Sequence, residues 1–533
     1  MRTFIMMVMS IFFSGITDDF TDALVRLCGL ESKEALTEDV VEEYSYLARH
    51  PIDINSASDD RISSTGFFTP FQIASIKDYI MRNGPILSYV ELAGITGVGK
   101  QMADDLRFFF ICGNNSGNSL IGPEKKKRFH IEGSMRNTIK SDMIVGSKAK
   151  YEAAYGRQLS AGVSIMGNAV KGYMCYNGVK YPIKVVLGSL NVRYGQGLLL
   201  WSGFSIGGVS QLSGLSRNPT GINASLASSS IKGVAANCTI GRSSVDACVL
   251  SDGGLAVHYG YHTRKGTYAT TAMYENGDIG CSLDYKMTIW KITTFGELAV
   301  YKGAEGMGTA FLGGAFYNIA YKKRAGVILR YYSDEFAPRY CGSIHSGTKP
   351  AGENGVGAAV EYEKVSLVAD YSIKDGLSSF RSIEKWLWNK SLDEWELDGE
   401  LRHTMKYKAK TSYYSNELRA GINASKGALQ LCSRIQMLKG EGLSALGYVE
   451  GSLISEKSRI SARVLCFDAR AWADRLYAYS RDVPGAFSVP VYYGRGSEWS
   501  LYARYKKIAL RLSYTSYQGD KANKWEVKGY VAF

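Results

Sequence analysis

The chain has 533 residues, 58 of them Gly, 36 Tyr and only 10 Pro. That is more than one ordinary core needs, and no stretch beyond the N-terminus is apolar over the roughly 18 residues a spanning helix requires, so a membrane reading has to be a barrel. The formal charge of +13 favours polyanions or anionic headgroups as neighbours, while nine cysteines without C-x-x-C spacing argue against a zinc site or a dense disulfide framework.

Met1-Arg2-Thr3, the apolar run Phe4 to Phe13 and the small residues Ser14 and Gly15 have the order of an export signal, assigned to 1–17. The region 18–112 follows with a helical period. Phe20 to Leu30 and Thr37 to His50 are predicted helices, the second with Glu38 and Asp39 in the first turn, where acidic residues suit the helix dipole. From Thr37 to Cys112 there are 11 acidic residues against 6 basic ones, so the basic excess belongs to the rest of the chain. The polar, glycine-bearing run Asn114 to Gly122 marks a linker, placed at 113–125. From 126 to 533 the period becomes two.

That alternation is cleanest at the C-terminus. Trp525, Val527, Gly529, Val531 and Phe533 form an apolar face, with Lys524, Glu526, Lys528 and Tyr530 on the other. Ile508, Leu510, Leu512 and Tyr514, and before them Trp499, Leu501, Ala503 and Tyr505, repeat the pattern. Apolar-out, polar-in alternation is that of a membrane barrel, and a water-facing interior accounts for Arg504, Arg511, Lys524 and Lys528 within strands. Tight connections are expected at Lys506-Lys507, Ser455 to Ser458 and Ala424 to Gly427. Longer ones are expected at 203–228, Asp468 to Gly496 and Gln518 to Asn523. At roughly 20 residues per strand and connection, about 16 to 22 strands are expected. The fold class is thus mainly β, a large antiparallel transmembrane β-barrel preceded by a small all-α domain. The expected location is the outer membrane, with the N-terminal domain on the periplasmic, short-turn side. A soluble β-sandwich or solenoid is the alternative.

Within the helical region, Pro51-Ile-Asp-Ile-Asn55, Phe71 to Ile80, Asn83-Gly84-Pro85 and Glu91-Leu-Ala-Gly-Ile-Thr-Gly97-Val98-Gly99-Lys100 resemble the helix-hairpin-helix domain of ComEA-like competence proteins. In that family a Gly-x-Gly hairpin lets backbone N–H groups approach a DNA phosphate. The resemblance implies phosphate contacts from Gly97, Val98, Gly99 and Lys100, followed by a helix from Gln101 to Phe110. The first hairpin, Gly66-Phe67-Phe68-Thr69, keeps one glycine and lacks the second, which leaves Gly66 as its single candidate. The alternative use of the domain is as a plug or a protein-docking module. Gly94 to Lys100 also approaches a phosphate-binding P-loop, but Gln101 stands where Ser or Thr is needed and no strand precedes it.

Val186 to Phe204, containing Arg193, Gln196 and Trp201, and Arg475 to Gly496, containing Asp482 and Arg495, resemble the large helix-hairpin-helix-containing outer-membrane proteins of Gram-negative anaerobes and gliding bacteria. Arg193, Gln196, Arg475, Asp482 and Arg495 are accordingly candidates to line a lumen or its mouth, against the plainer reading of lumen salt bridges and girdle packing. The functional expectation is an outer-membrane barrel whose helical domain holds double-stranded DNA in uptake or handling. The alternative is a transport or secretion barrel that the helical domain plugs. Expected partners are outer-membrane lipid, the barrel-assembly machinery, and either DNA or a periplasmic or outer-membrane protein. No cofactor, metal site or enzymatic activity is expected. His258-x3-His262 has metal-binding spacing only on a helix, and no Gly-x-Ser-x-Gly elbow occurs. Cys238 and Cys248 flank an expected hairpin turn at Gly241 to Ser244 and could face each other across it.

Overall fold

The computed structural model describes residues 18–113 and 129–533, apart from positions 50, 58, 64, 69, 142, 157, 179–182, 204–208, 264, 321–322, 456 and 520–521. The export signal at 1–17 and nearly all of the linker lie outside the described residues.

Among the described residues six α-helices form the N-terminal region: α1 Asp18–Leu27, α2 Glu38–Arg49, α3 Asp59–Ser63, α4 Pro70–Asn83, α5 Tyr89–Gly94 and α6 Gly99–Leu106. The last ends short of the expected Phe110, because Phe110–Ile111 pairs in parallel with Ile52–Asp53 and ties the two ends of the bundle together. Ser88 begins α5 by accepting from the Glu91 N–H at 3.2 Å, while the Glu91 carboxylate accepts from the Leu87 N–H at 2.6 Å. Two orphan donors at the helix start are thereby satisfied. The region buries its own core, with Phe67 against Tyr44 and Phe109 at centroid separations of 4.8 and 4.7 Å. Burial of large aromatic surface is the main reason so small a bundle holds together.

The remainder is a closed antiparallel barrel of 24 strands. It closes where Lys524–Ala532 pairs with Phe129–Lys140, Val531 opposite Met135, and the Phe533 N–H donates to the Gly133 carbonyl at 2.9 Å. The count exceeds the expected range because two-residue connections, present at both ends, outnumber all longer ones together. Asp278–Ile289 leads to Ile292–Gly303 through Trp290-Lys291, and that strand leads to Gly306–Ala320 through Ala304-Glu305.

Side chains alternate as the period of two requires. Along Ser458–Ala469 the inward set contains Arg459, Ser461, Arg463 and Leu465, all buried, whereas Ile460 and Val464 face out. Exposed tyrosines and tryptophans ring the exterior at two levels, including Tyr268, Tyr285, Tyr362 and Trp386 toward one end and Tyr274, Tyr331, Tyr371 and Tyr514 toward the other, with Leu283, Leu298 and Val449 between. A closed sheet with an apolar band between aromatic girdles and a polar interior is an outer-membrane β-barrel.

The end that carries Phe533 has only short connections. The opposite end carries the three longest, 194–230 (interrupted by the four-residue strand Gly221–Ala224), 333–352 and 470–493. The first and last match expectation. The loop at 333–352 is not among the expected long connections, although eight of its twenty residues are Gly, Ser or Pro. The register places Cys238 opposite Val245 and Cys248 opposite Ala235, so the expected facing pair does not form and both thiols are free.

Candidate functional site

All three long loops fold inward. The Trp201 N–H donates to the Tyr340 carbonyl at 2.8 Å and the Gly342 N–H to the Gly197 carbonyl at 3.0 Å, which joins the first loop to the second. The third is fixed to the inner wall by Arg481 on Glu450 at 2.7 Å and by Lys528 on Asp482 at 2.6 Å. Arg330 anchors the second from the wall. Its guanidinium is fully buried between Glu353 at 2.8 Å and Asp370 at 2.7 Å, and Glu353 also accepts from the Ser346 N–H.

The helical region sits within the barrel. On one side, Glu38 meets Arg136 at 3.0 Å, Glu42 is bonded to Lys148, and Glu43 meets Arg193 at 2.8 Å. On the other, Glu31 pairs with Arg381, and Glu34 spans Arg419 at 3.0 Å and Arg434 at 2.6 Å. Around the closed sheet, the strand bearing Arg193 and the strand bearing Arg381 lie on opposite walls, so the acidic edge of the helices bridges the lumen. Asp39 accepts from the amides and hydroxyl of the 228–229 turn, and the Asn218 amide donates to the Gly66 carbonyl at 2.9 Å. At Gly29 a Cβ would stand 3.1 Å from Gly214 of the first loop, and its φ of +71° is also one that side chains avoid.

This interface is ionic where the helical core is apolar. Buried ion pairs add little net stability, because desolvation offsets their attraction, but removing one partner strands the other and costs about 3–5 kcal/mol. The contact is therefore specific without being greasy. Burial alone would raise the Glu34 carboxyl, yet Arg434, Arg419 and the Tyr479 amide hold it well below the usual carboxylate range. Glu31 is likewise lowered, against burial, by Arg381 and Arg402, and Asp39 by the 228–229 hydroxyls and amides. Burial pushes the Cys28 thiol up to about 12 and lowers Arg217, on the first loop, to about 10.

A cavity of about 1600 Å³ remains between the helices and the wall, lined by Gly97, Gln101 and Asp104 on the helical side and by Lys385, Asn423 and Gln430 among the wall residues. The acidic surplus of the helical region thus has a structural partner. It answers the arginines and lysines of the lumen.

The hairpin candidates divide. Gly97 and Gly99 have φ of +90° and +74°, the backbone a Gly-x-Gly turn into α6 needs, and the Lys100 side chain is exposed. Val98, however, is buried in the helical core, and the Gly97 carbonyl accepts from Gln72 at 2.7 Å. Gly66 is covered: a Cβ there would stand 3.0 Å from Thr220 of the first loop. The Gly66 N–H already donates to the Ser63 carbonyl at 2.9 Å, so the amide expected to meet a phosphate is engaged within the helical region.

The lumen candidates also divide. Arg193 is buried on Glu43 and donates to the Ser202 carbonyl at 2.9 Å. Gln196 is buried, with its amide oxygen accepting from the Arg217 N–H at 2.9 Å and its own N–H donating to Glu297 at 2.6 Å. Asp482 joins Lys528 and Arg511 inside the barrel. Arg475 lies over Trp472 on the third loop, at the mouth. Arg495 does not line the lumen. It shares the outward-facing set of its strand with Trp499 and pairs with Asp468 at 3.7 Å. His258 and His262 lie on the strand Leu255–Thr263, away from helical spacing, with His258 stacked on Tyr194 at 4.0 Å. The residues that hold the helices in place, Glu31, Glu34, Arg381, Arg419 and Arg434, were missed, and single charges on separate strands leave no local signal.

No family model matches the chain, and no curated protein matches it. Among solved structures it is similar to the P pilus usher PapC translocation pore (9% identity, 76% of this chain and 99% of that one, TM-score 0.39). It is also similar to Pseudomonas aeruginosa OpdK with vanillate (8%, 76% and 98%, TM-score 0.29) and Acinetobacter baumannii OccAB3 (7%, 76% and 99%, TM-score 0.30).

Proposed function

We propose that the chain is a transport or secretion barrel of the outer membrane whose helical region, 18–112, is a plug seated in the lumen. The observation that carries this reading is the acidic edge Glu31 to Glu43, ion-paired to basic residues on opposite walls. A barrel of 24 strands encloses a passage too wide for wall side chains to fill, so an unplugged lumen would breach the membrane. The plug keeps its own apolar core and meets the wall mainly through charge, a construction suited to moving as a unit. With the short-turn end periplasmic, the long loops cap the outer face and the plug is reached from the periplasm.

The Gly97 to Lys100 hairpin keeps the backbone of a Gly-x-Gly turn, but Val98 is packed in the helical core and Gln72 holds the Gly97 carbonyl, so the plug reading is favoured over DNA binding. Planar-bilayer recording tests the plug. Deletion of residues 18–112 is expected to raise single-channel conductance severalfold, and an unchanged conductance in correctly folded barrels would count against it.

A further inference from the structure

Strands Leu377–Leu392, Trp395–Lys408, Tyr413–Lys426 and Leu429–Lys439 bring Arg381, Lys406, Arg402, Arg419 and Arg434 onto one patch of the inner wall. Two pairs of these cations stand directly opposite one another across adjacent strands, Arg381 with Lys406 and Arg402 with Arg419. Like charges in that relation destabilise a sheet. The wall offers one carboxylate among them, Glu417, at 3.2 Å from Arg402 and 3.3 Å from Arg419, while neighbouring Glu400 pairs with Lys385. Five cations against one anion is a patch that needs anions from elsewhere.

In this structure they come from the plug. The short turn Lys33–Ala35 and the residues before it present Glu31 to Arg381 and Arg402 and Glu34 to Arg419 and Arg434. Even then the patch is not saturated. The side chains of Arg402 and Arg419 are 4% and 8% exposed, yet the Nε–H groups of Arg381, Arg402, Arg419 and Arg434 have no hydrogen-bond partner. Arg402, Arg419 and Arg434 also border the open cavity. Planar guanidiniums with fixed donors suit carboxylates in pairs.

We propose that this arginine patch is the barrel's binding site for a passenger bearing two or more carboxylates, and that Glu31 and Glu34 occupy it as an internal stand-in which the passenger displaces. The inference rests on the plug reading. It deepens that reading by coupling ligand binding to plug release: the arriving anion takes the contacts that hold the plug to this wall. The carboxylates come either from an acidic polypeptide segment, as the plug's own do, or from a small polycarboxylate.

The test uses the full chain in detergent, with barrel closure checked by heat-dependent gel mobility for each variant. The probes are a fluorescent heptapeptide of the sequence Leu-Glu-Ser-Lys-Glu-Ala-Leu, the same peptide with both Glu replaced by Gln, citrate as competitor, and a duplex oligonucleotide. The E31Q/E34Q variant is expected to bind the acidic peptide at least about tenfold more tightly than wild type, because a competitor has been removed. The Gln peptide is expected to fail, and adding R419Q and R434Q is expected to abolish binding. Binding of the peptide that citrate does not compete assigns a polypeptide source, and competition by millimolar citrate assigns a small solute; either supports the site. Equal binding to wild type and E31Q/E34Q, or binding of duplex DNA alone, overturns it. If E31Q/E34Q raises conductance while no carboxylate probe binds, the plug stands and this site does not. If the probes bind E31Q/E34Q but deletion of 18–112 leaves conductance unchanged, the site stands and the plug does not.

Discussion

Glu34 and Arg434, 400 positions apart in sequence, meet at 2.6 Å inside the barrel, and the same Glu34 oxygen accepts from the Tyr479 N–H at 3.0 Å. One plug carboxylate thus joins a wall strand and an inward-folded loop. In Glu34→Ala, Arg419 and Arg434 lose the anion that offsets their burial, and docking is expected to weaken by about 3–5 kcal/mol. Hydrogen exchange is the readout. Amides of α1 and of Lys33–Ala35 are expected to lose protection while wall amides keep theirs, and uniform loss across the barrel would point to a folding defect instead.

The carboxyls of Glu31, Glu34 and Asp39 are held below their ordinary values near 4.5, 4.5 and 3.8. A carboxyl depressed in the docked state contributes docking stability that is fully present above its undocked value and is lost as pH falls through the docked one. Docking is therefore expected to be insensitive to pH across the neutral range and to weaken well below pH 4.5. Conductance recorded against pH checks this. An opening transition between pH 6 and 8 would contradict it.

Arg330, with Glu353 and Asp370, holds the 333–352 loop to the wall in a fully buried cluster. Arg330→Ala leaves two buried carboxylates without their cation, at a cost of about 3–5 kcal/mol. Limited proteolysis from the long-loop face is expected to cut within 333–352 in the variant and to spare it in wild type.

Leu283 and Leu298 face each other across adjacent strands on the exterior, midway between the aromatic girdles. An arginine at the bilayer midplane costs about 2–4 kcal/mol. Leu283→Arg is expected to lower folding stability in lipid vesicles by that amount. No change in a urea titration would remove residue 283 from the lipid face.

The barrel was legible because its signal is local. From Trp499 to Phe533 each strand states its own two faces, and Ile508, Leu510 and Leu512 are exposed as the alternation requires. The strand count was less legible, since two-residue turns such as Trp290-Lys291 carry no Gly, Pro, Asn or Asp, and Asp278 to Lys291, strand and turn together, takes fewer residues than a rule based on longer loops assumes. The helices of the plug could also be read from the sequence, and its acidic balance could be counted. Its seat could not be read. Arg402, Arg419 and Arg434 look like ordinary lumen cations one by one, and only barrel closure brings them to Glu31 and Glu34. The interior charges attributed to a water-facing lumen have protein partners instead: Arg511 pairs with Glu526 at 2.8 Å and Lys528 with Asp482.

The seat of the helical region in the lumen is tested most directly at Asp39 and Ser228, whose side chains meet at 2.7 Å across the plug–loop boundary. The measurement is oxidative cross-linking of D39C/S228C in intact outer membranes, with the joined peptides identified by mass spectrometry so that the native cysteines do not confuse the result. A high yield of the 39–228 cross-link, with the helical region protected from protease added on the periplasmic side, is the expected result. Absence of that cross-link together with ready cleavage of 18–112 would contradict the seated plug and return the helical region to a free domain outside the barrel.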